Sequence, residues 1–328
     1  MINRRTPSMY RRTFLSAGAV ALAAPAAFAQ ALPTRPVRII VGFSAGGGTD
    51  AVARLLAQKL APMWNTTVVV ENKVGAAGVI AAEYVAKQPA DGTTLLMANF
   101  SSHAVAPALY PKLGYTVATD FTPLTLVGVT PNVLVCRPGA DAKTLREVIA
   151  LCKAMPGQVS FGSAGQGSAQ HLALEMFKLR AGVDALHVPY KGSGPMLTDL
   201  LGGQIDYSFE TMSSAIQQVR QGKLVAIAQT SAKRSKQFAD VPTVAELGFP
   251  GFQAATWYGM VGPARMPAAM GARMSEDINK VLAMPDVAEK LEGYSAEGGG
   301  GSMQRFAEFM AEEQVRWGKV IKDAKVKI

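Results

Sequence analysis

The apolar positions of this chain change period as it advances, and the changes mark alternating strands and helices. Val37-Arg38-Ile39-Ile40-Val41 is a β-branched run suited to a buried strand. It leads into Ser44-Ala45-Gly46-Gly47-Gly48-Thr49, and then into a segment with Val52, Leu55, Leu56 and Leu60 on one helical face. The same unit returns later. The strand-like Gln158-Val159-Ser160-Phe161 is followed by Gly162-Ser163-Ala164-Gly165-Gln166-Gly167-Ser168, and then by a helix with Leu172, Met176 and Phe177 on one face. The two turns share the pattern Ser-Ala-Gly-x-Gly-[Ser/Thr].

The rest of the chain predicts more of these elements. Thr67–Asn72 and Gly92–Ala98 read as strands, with a glycine-marked turn (Gly75–Gly78) and a small-residue helix through Ala86 between them. Thr122–Val135 is a long extended segment broken by prolines, suited to a strand that passes from one domain into the next. Thr144-Leu145-Arg146-Glu147 is a capping box opening a helix to about Ala154. Leu186–Tyr190, Ile205–Glu210 and Leu224–Ala228 are further strands, and Pro195 sits near the first position of another helix. A short helix ended by Gly248, a strand over Ala255–Val261 and two closing helices separated by Gly298–Ser302 complete the order. Strands alternating with helices predict an α/β fold with a mostly parallel sheet. The long segment and the return near 244 divide it into lobe 1 (30–130 and 245–328) and lobe 2 (131–244). Two such lobes make a clamshell with its ligand cleft at the strand C-termini.

Each glycine turn opens a helix, so unpaired backbone N–H groups and the positive end of the helix dipole point into it. Gly165 and Gly167 let a ligand come close to the backbone. One such turn alone is explained by a capped β–α connection. Its recurrence points instead to two turns facing each other and holding one anion between helix N-termini.

The first 29 residues stand apart from this pattern. Arg4, Arg5, Arg11 and Arg12, the apolar Gly18–Ala24 and Ala27-Phe28-Ala29 spell a cleavable export signal, and Arg11-Arg12-Thr13-Phe14-Leu15 resembles a twin-arginine signal. The apolar run is short of the roughly 20 residues a spanning helix needs. A periplasmic location is expected. Removing the signal takes away four arginines and no acid, lowering the net charge from +9 to +5. That excess is spread along the chain, which argues against a nucleic-acid partner. Cys136 and Cys152 either pair in an oxidising compartment or fill buried apolar space, and the second reading is preferred. No cofactor or metal site is called for.

Enzyme chemistry finds few supports. Gly42-Phe43-Ser44-Ala45-Gly46 matches a nucleophile elbow between strand and helix, with Ser44 as the nucleophile. The partner histidine of such a hydrolase follows late in the chain, but the three histidines, His103, His171 and His187, all come before the last third. Neither glycine turn has the lysine of a P-loop or the G-x-G-x-x-G of a dinucleotide site. Asp50, Asp206 and Glu210 are single acids in separate segments, so no glycosidase pair is assigned. Asp50 reads as a brace for the first turn. Asp206 either receives a ligand amino or hydroxyl group or merely ends a strand.

Taken together, Pro36–Val41, Phe43–Asp50, Val70-Glu71-Asn72-Lys73, Phe161–His171, Val188–Gly192, Asp240–Glu246 and the closing Glu313 and Trp317 helix resemble one family. It is the extracytoplasmic receptors of tripartite tricarboxylate transporters, the Bug-type solute-binding proteins. The resemblance covers essentially the whole chain after the signal. It implies a two-lobed type II periplasmic binding protein fold and a non-catalytic role. The protein would be a monomer delivering a small carboxylate to membrane transporter subunits, with delivery to a sensor as the alternative. Carried over by motif, ligand contacts fall on Phe43, Ser44, Ala45, Gly46, Gly47 and Asp50 in lobe 1. In lobe 2 they fall on Ser163, Gly165, Gly167, Ser168, His171 and Asp206. Ser102 and Tyr190 are added from loop position.

Overall fold

The computed structural model describes residues 32–323 and Val326, so the expected export signal lies outside the described residues. In chain order the fold begins with β1 (Val37–Val41), α1 (Gly48–Trp64), β2 (Val68–Asn72), α2 (Val79–Ala86) and β3 (Thr94–Asn99). A wide helical turn at Ser101–Val105 and two one-turn helices, α3 (Ala106–Leu109) and α4 (Val117–Asp120), lead to the long strand β4 (Phe121–Cys136). Then come α5 (Leu145–Ala154), β5 (Ser160–Ser163), α6 (Ala169–Ala181), β6 (Leu186–Pro189), α7 (Ser193–Gly202), β7 (Tyr207–Thr211), α8 (Met212–Arg220) and β8 (Val225–Gln229). The chain returns through β9 (Ala255–Pro263) and ends with α9 (Ala268–Leu282), α10 (Pro285–Gly293) and α11 (Met303–Asp323).

The strands run in the order β2-β1-β3-β9-β4-β7-β5-β6, with β8 on β4. In lobe 1, β1 pairs in parallel with β2 and β3, and β9 joins antiparallel. In lobe 2, β5 pairs in parallel with β6 and β7. β4 spans both lobes: Phe121–Pro131 pairs with β9, and Asn132–Cys136 pairs with β7 and β8. Helices cover both faces of each half. Ile39 and Leu95 bury against α1 and α9, whereas Ile40 and Leu96 turn to α2 and α11, as strand alternation requires. In lobe 2, Leu134 and Phe209 pack with α5 and α6, and Val133 and Val135 pack with α7 and α8.

Three boundaries differ from those read from sequence. Val244, Phe252 and Ala254 belong to the lobe 2 core, so the return crossing falls at Ala254–Ala255, about ten residues later. Ala255 pairs there with Pro131, which sets the two crossings side by side as a hinge. The expected pair of closing helices is three, because Pro285 has no N–H to continue α9 and begins α10 instead. The segment before Gly248 is a single turn, with Thr243 and Glu246 capping each other. The Thr144–Glu147 capping box forms as its spacing dictates. Cys136 and Cys152 are both buried and unpaired in lobe 2, and burial pushes each thiol up to about 11.

Candidate functional site

Four β–α units send their helices into the cleft N-terminus first. α1, α6, α7 and α8 follow β1, β5, β6 and β7, and their first turns converge on one small cavity. Lobe 1 contributes Phe43, Gly47, Gly48 and Thr49 from the first glycine turn, Asn99 and Ser101 beyond β3, and Thr256 and Tyr258 of β9. Lobe 2 contributes Ala164, Ala169, Gln170, Ser193 and Thr211. None of these carries a charge. Gly47, Gly192 and Thr211, the caps of α1, α7 and α8, make no side-chain capping bond, so the first N–H groups of those helices remain as donors. The cavity is about 20 Å³, room for roughly one water, so a larger ligand enters only when the lobes part.

The lobes are closed over this space. Ser44 N–H donates to Lys191 C=O at 3.1 Å, and the hydroxyls of Ser213 and Tyr258 meet at 2.9 Å. Ser235 reaches Ser295 at 2.8 Å, and Lys236 pairs with Glu292 at 2.9 Å on the surface.

Asp50 organises the first turn. Its Oδ2 accepts from Gly46 N–H at 3.1 Å and Arg54 Nε at 2.9 Å, and its Oδ1 accepts from Arg54 Nη2 and Asn72 Nδ2, both at 2.9 Å. Asn72 also donates to Phe43 C=O at 2.9 Å, so one acid and one amide hold both ends of the turn. Burial alone would raise the Asp50 carboxyl, but the hydrogen bonds from Arg54, Asn72 and Gly46 outweigh it and hold it below its ordinary value.

Two neutral histidines brace the second turn. His171 Nδ1 accepts from Gly167 N–H at 3.1 Å, and its ring stacks on His187 at 4.1 Å. His187 Nε2 meets Ser163 Oγ at 2.6 Å, and Ser163 Oγ accepts from Gly165 N–H at 3.1 Å. Burial lowers His171 to about 4 and His187 to about 3, so both are uncharged at neutral pH. Ser168 caps α6 by accepting from His171 N–H at 3.3 Å.

The expected contacts therefore divide. Phe43 and Gly47 line the cavity. Gly46 and Asp50, and Ser163, Gly167, Ser168 and His171, shape the turns from behind. Ser44 and Ala45 lie at the seam between lobes, against Gly192 and Gly194. Gly165 and Tyr190 line a second, wider groove between the lobes, about 380 Å³, opposite Ala76, Ala77 and Tyr110, and the Tyr190 hydroxyl donates to Asp199 at 2.7 Å. Ser102 turns inward to His103 and Asn99, and its neighbour Ser101 takes the place at the wall. Of the two readings left open for Asp206, its contacts match the one that places it at a strand end. Asp206 precedes β7 and binds Ser160 N–H and Oγ at 2.8 and 2.6 Å, at the opposite end of the sheet from the cavity. Gln170, Ser193 and Thr211 were missed. Applying the strand–turn–helix rule to β6–α7 and β7–α8 as well would have found the last two.

Ser44 Oγ is buried without a hydrogen-bond partner among the described residues, so none of them stands ready as a base to activate it. Ser44→Ala is expected to leave ligand affinity within about twofold, because no hydrogen bond is lost. Calorimetry checks this, and a tenfold loss would return Ser44 to the ligand.

Fold and site define a two-lobed solute-binding receptor. Residues 52–326 match the family described as the tripartite tricarboxylate transporter family receptor. The chain is 39% identical to protein BugT of Bordetella pertussis over 308 residues, covering 94% of each chain. Among solved structures it is similar to Rpa4515 of R. palustris with adipate, at 35% identity and TM-score 0.87, covering 90% of this chain and 99% of that one. MatC from Rhodopseudomonas palustris, solved with bound malate, aligns at 32% identity and TM-score 0.83 over 88% of this chain and all of that one. The chain belongs to the tripartite tricarboxylate transporter receptor family, whose members bind substrate and are not enzymes.

Proposed function

We propose that this protein is exported and captures a small carboxylate-bearing metabolite in the periplasm. The ligand would be a dicarboxylate, amino acid or aromatic acid, passed on to a tripartite tricarboxylate-type transporter. The observation that carries this is the convergence of four helix N-termini on a cavity with no charged lining. Hydrogen bonds to a charged group contribute roughly 1.5–3 kcal/mol each. Micromolar binding requires about 8 kcal/mol, so a few backbone donors suffice without an arginine clamp. The adipate and malate held by two relatives support the same ligand chemistry. Closure of the lobes is the two-state event a membrane partner would read.

A thermal-shift screen of the purified protein against these acid classes tests the proposal. A ligand at a hundred times its Kd adds about 2.7 kcal/mol to the folded state, a rise of about 5–10 °C for a chain of this size. No shift with any acid, from protein shown by mass spectrometry to carry no ligand, would overturn it.

A further inference from the structure

Glu210 lies near the C-terminal end of β7, fully buried behind the cavity wall. Its Oε1 accepts from Gln170 Nε2 at 3.3 Å, Ser193 Oγ at 2.8 Å, Thr211 N–H at 2.7 Å, Thr211 Oγ1 at 2.8 Å and Ser214 Oγ at 2.7 Å. All are neutral groups. Gln170, Ser193 and Thr211 also form the lobe 2 wall of the cavity. Among the described residues, none donates to Glu210 Oε2.

This cluster fixes the direction of the side-chain hydrogens in the lobe 2 wall. A hydroxyl has one hydrogen to give, and those of Ser193, Thr211 and Ser214 are spent on Glu210 or within the Thr211–Ser214 contact at 2.6 Å. Gln170 turns its NH2 toward Glu210 and Ser193, because its own carbonyl there would face another acceptor. What these side chains leave for a ligand is lone pairs, chiefly those of the Gln170 carbonyl. Backbone N–H groups at the helix starts remain the donors. A plain carboxylate satisfies the N–H groups but leaves the Gln170 carbonyl facing oxygen or carbon; Ser193 already accepts from Gln170, and Thr211 and Ser214 already bond each other.

Resting on the proposed carboxylate receptor, we infer that the ligand carries a hydrogen-bond donor, an ammonium or hydroxyl group, beside a carboxylate. Glu210 sets this preference as a positioning residue, acting through Gln170, Ser193 and Thr211. It takes the part that sequence reading offered to Asp206, from the end of β7 that faces the ligand.

Calorimetry with matched acids tests the inference: succinate, malate and aspartate; glutarate, 2-hydroxyglutarate and glutamate; adipate and 2-aminoadipate; phenylacetate, mandelate and phenylglycine. In the best-binding set the substituted acid is expected to bind about tenfold or more tighter than its parent, one paired donor being worth that ratio. The hydroxy and amino members separate hydroxyl from ammonium. Glu210→Gln supplies its own NH2 and frees the wall hydroxyls to donate, so the preference falls to about twofold or less. A parent acid binding as tightly as its substituted forms overturns the inference and leaves the carboxylate receptor standing. Failure of every acid overturns both. An unchanged preference in Glu210→Gln removes Glu210 from the account. Should that variant not fold, Gln170→Met provides the same readout, with the preference kept or lost.

Discussion

Gly48→Ala is expected to leave the open protein as stable as before and to cut ligand affinity by about tenfold to a hundredfold. Gly48 begins α1 in lobe 1, and its ordinary helical backbone accepts alanine. A Cβ there would overlap Ser213 Oγ and stand 3.0 Å from Ser213 Cβ, on α8 of lobe 2, and 2.8 Å from the Tyr258 hydroxyl. The overlap with Ser213 exists only when the lobes meet. Tyr258 belongs to lobe 1 and has only to shift its hydroxyl once Ser213 has withdrawn. Replacing a helical glycine contributes up to about 1 kcal/mol to the helix itself. The melting temperature of the free protein therefore holds or rises while affinity falls, and the ligand-bound particle stays expanded. Calorimetry and small-angle scattering with ligand read both. Unchanged affinity and full compaction would mean that the Ser213 hydroxyl swings aside and the seam does not control closure.

Asp50→Ala attacks the turn instead of the closure. Arg54 is half exposed, so its ion pair with Asp50 contributes little. The damage comes from Gly46 N–H and Asn72 Nδ2, which lose a buried acceptor. A loss of about 2–3 kcal/mol follows, with a melting temperature lower by about 5–10 °C and weaker ligand binding from a turn no longer held at both ends. Urea denaturation measures the first effect and calorimetry the second. Stability within about 0.5 kcal/mol of the parent would show the brace to be dispensable.

The same carboxylate carries a pH signature. Its folded pKa is lowered, so its contribution is full above the unfolded value and is lost as pH falls through the folded one. Stability of the parent should decline between about pH 5 and pH 3 more steeply than that of Asp50→Ala. The histidine pair adds a decline that starts earlier: the unfolded chain takes up protons from about pH 6.5 downward, while the folded pair stays neutral until about 4 and about 3. Parallel slopes for the two proteins would remove Asp50 from the acid response.

Much of the architecture was readable because it is local. Alternating Ile39 and Ile40, the helical faces of α1 and α6, the Thr144–Glu147 box and the glycine turns are each set by neighbours within a few residues. Both turns of the shared pattern reach the cleft, and the proline-broken segment is the strand that links the lobes. These features depend on backbone sterics and on the period of the chain, which a sequence displays directly.

Position along a strand, and partnership between distant units, were decided by the tertiary structure. Asp206 and Glu210 lie on the same short segment, and the strand C-terminus rule favours Glu210 only once the strand is known to begin after Asp206. The parallel register that sets Phe161 beside Tyr207 puts Asp206 at the closed end and Glu210 at the open one. Gln170, Ser193, Thr211 and Glu210 meet from three separate β–α units, brought together only because β5, β6 and β7 lie side by side. The sequence determined a two-lobed receptor with two glycine turns that each open a helix, since local backbone chemistry suffices for that. The direction of the side-chain hydrogens in the lobe 2 wall depends on contacts between residues far apart in the chain, and only the packed sheet creates them.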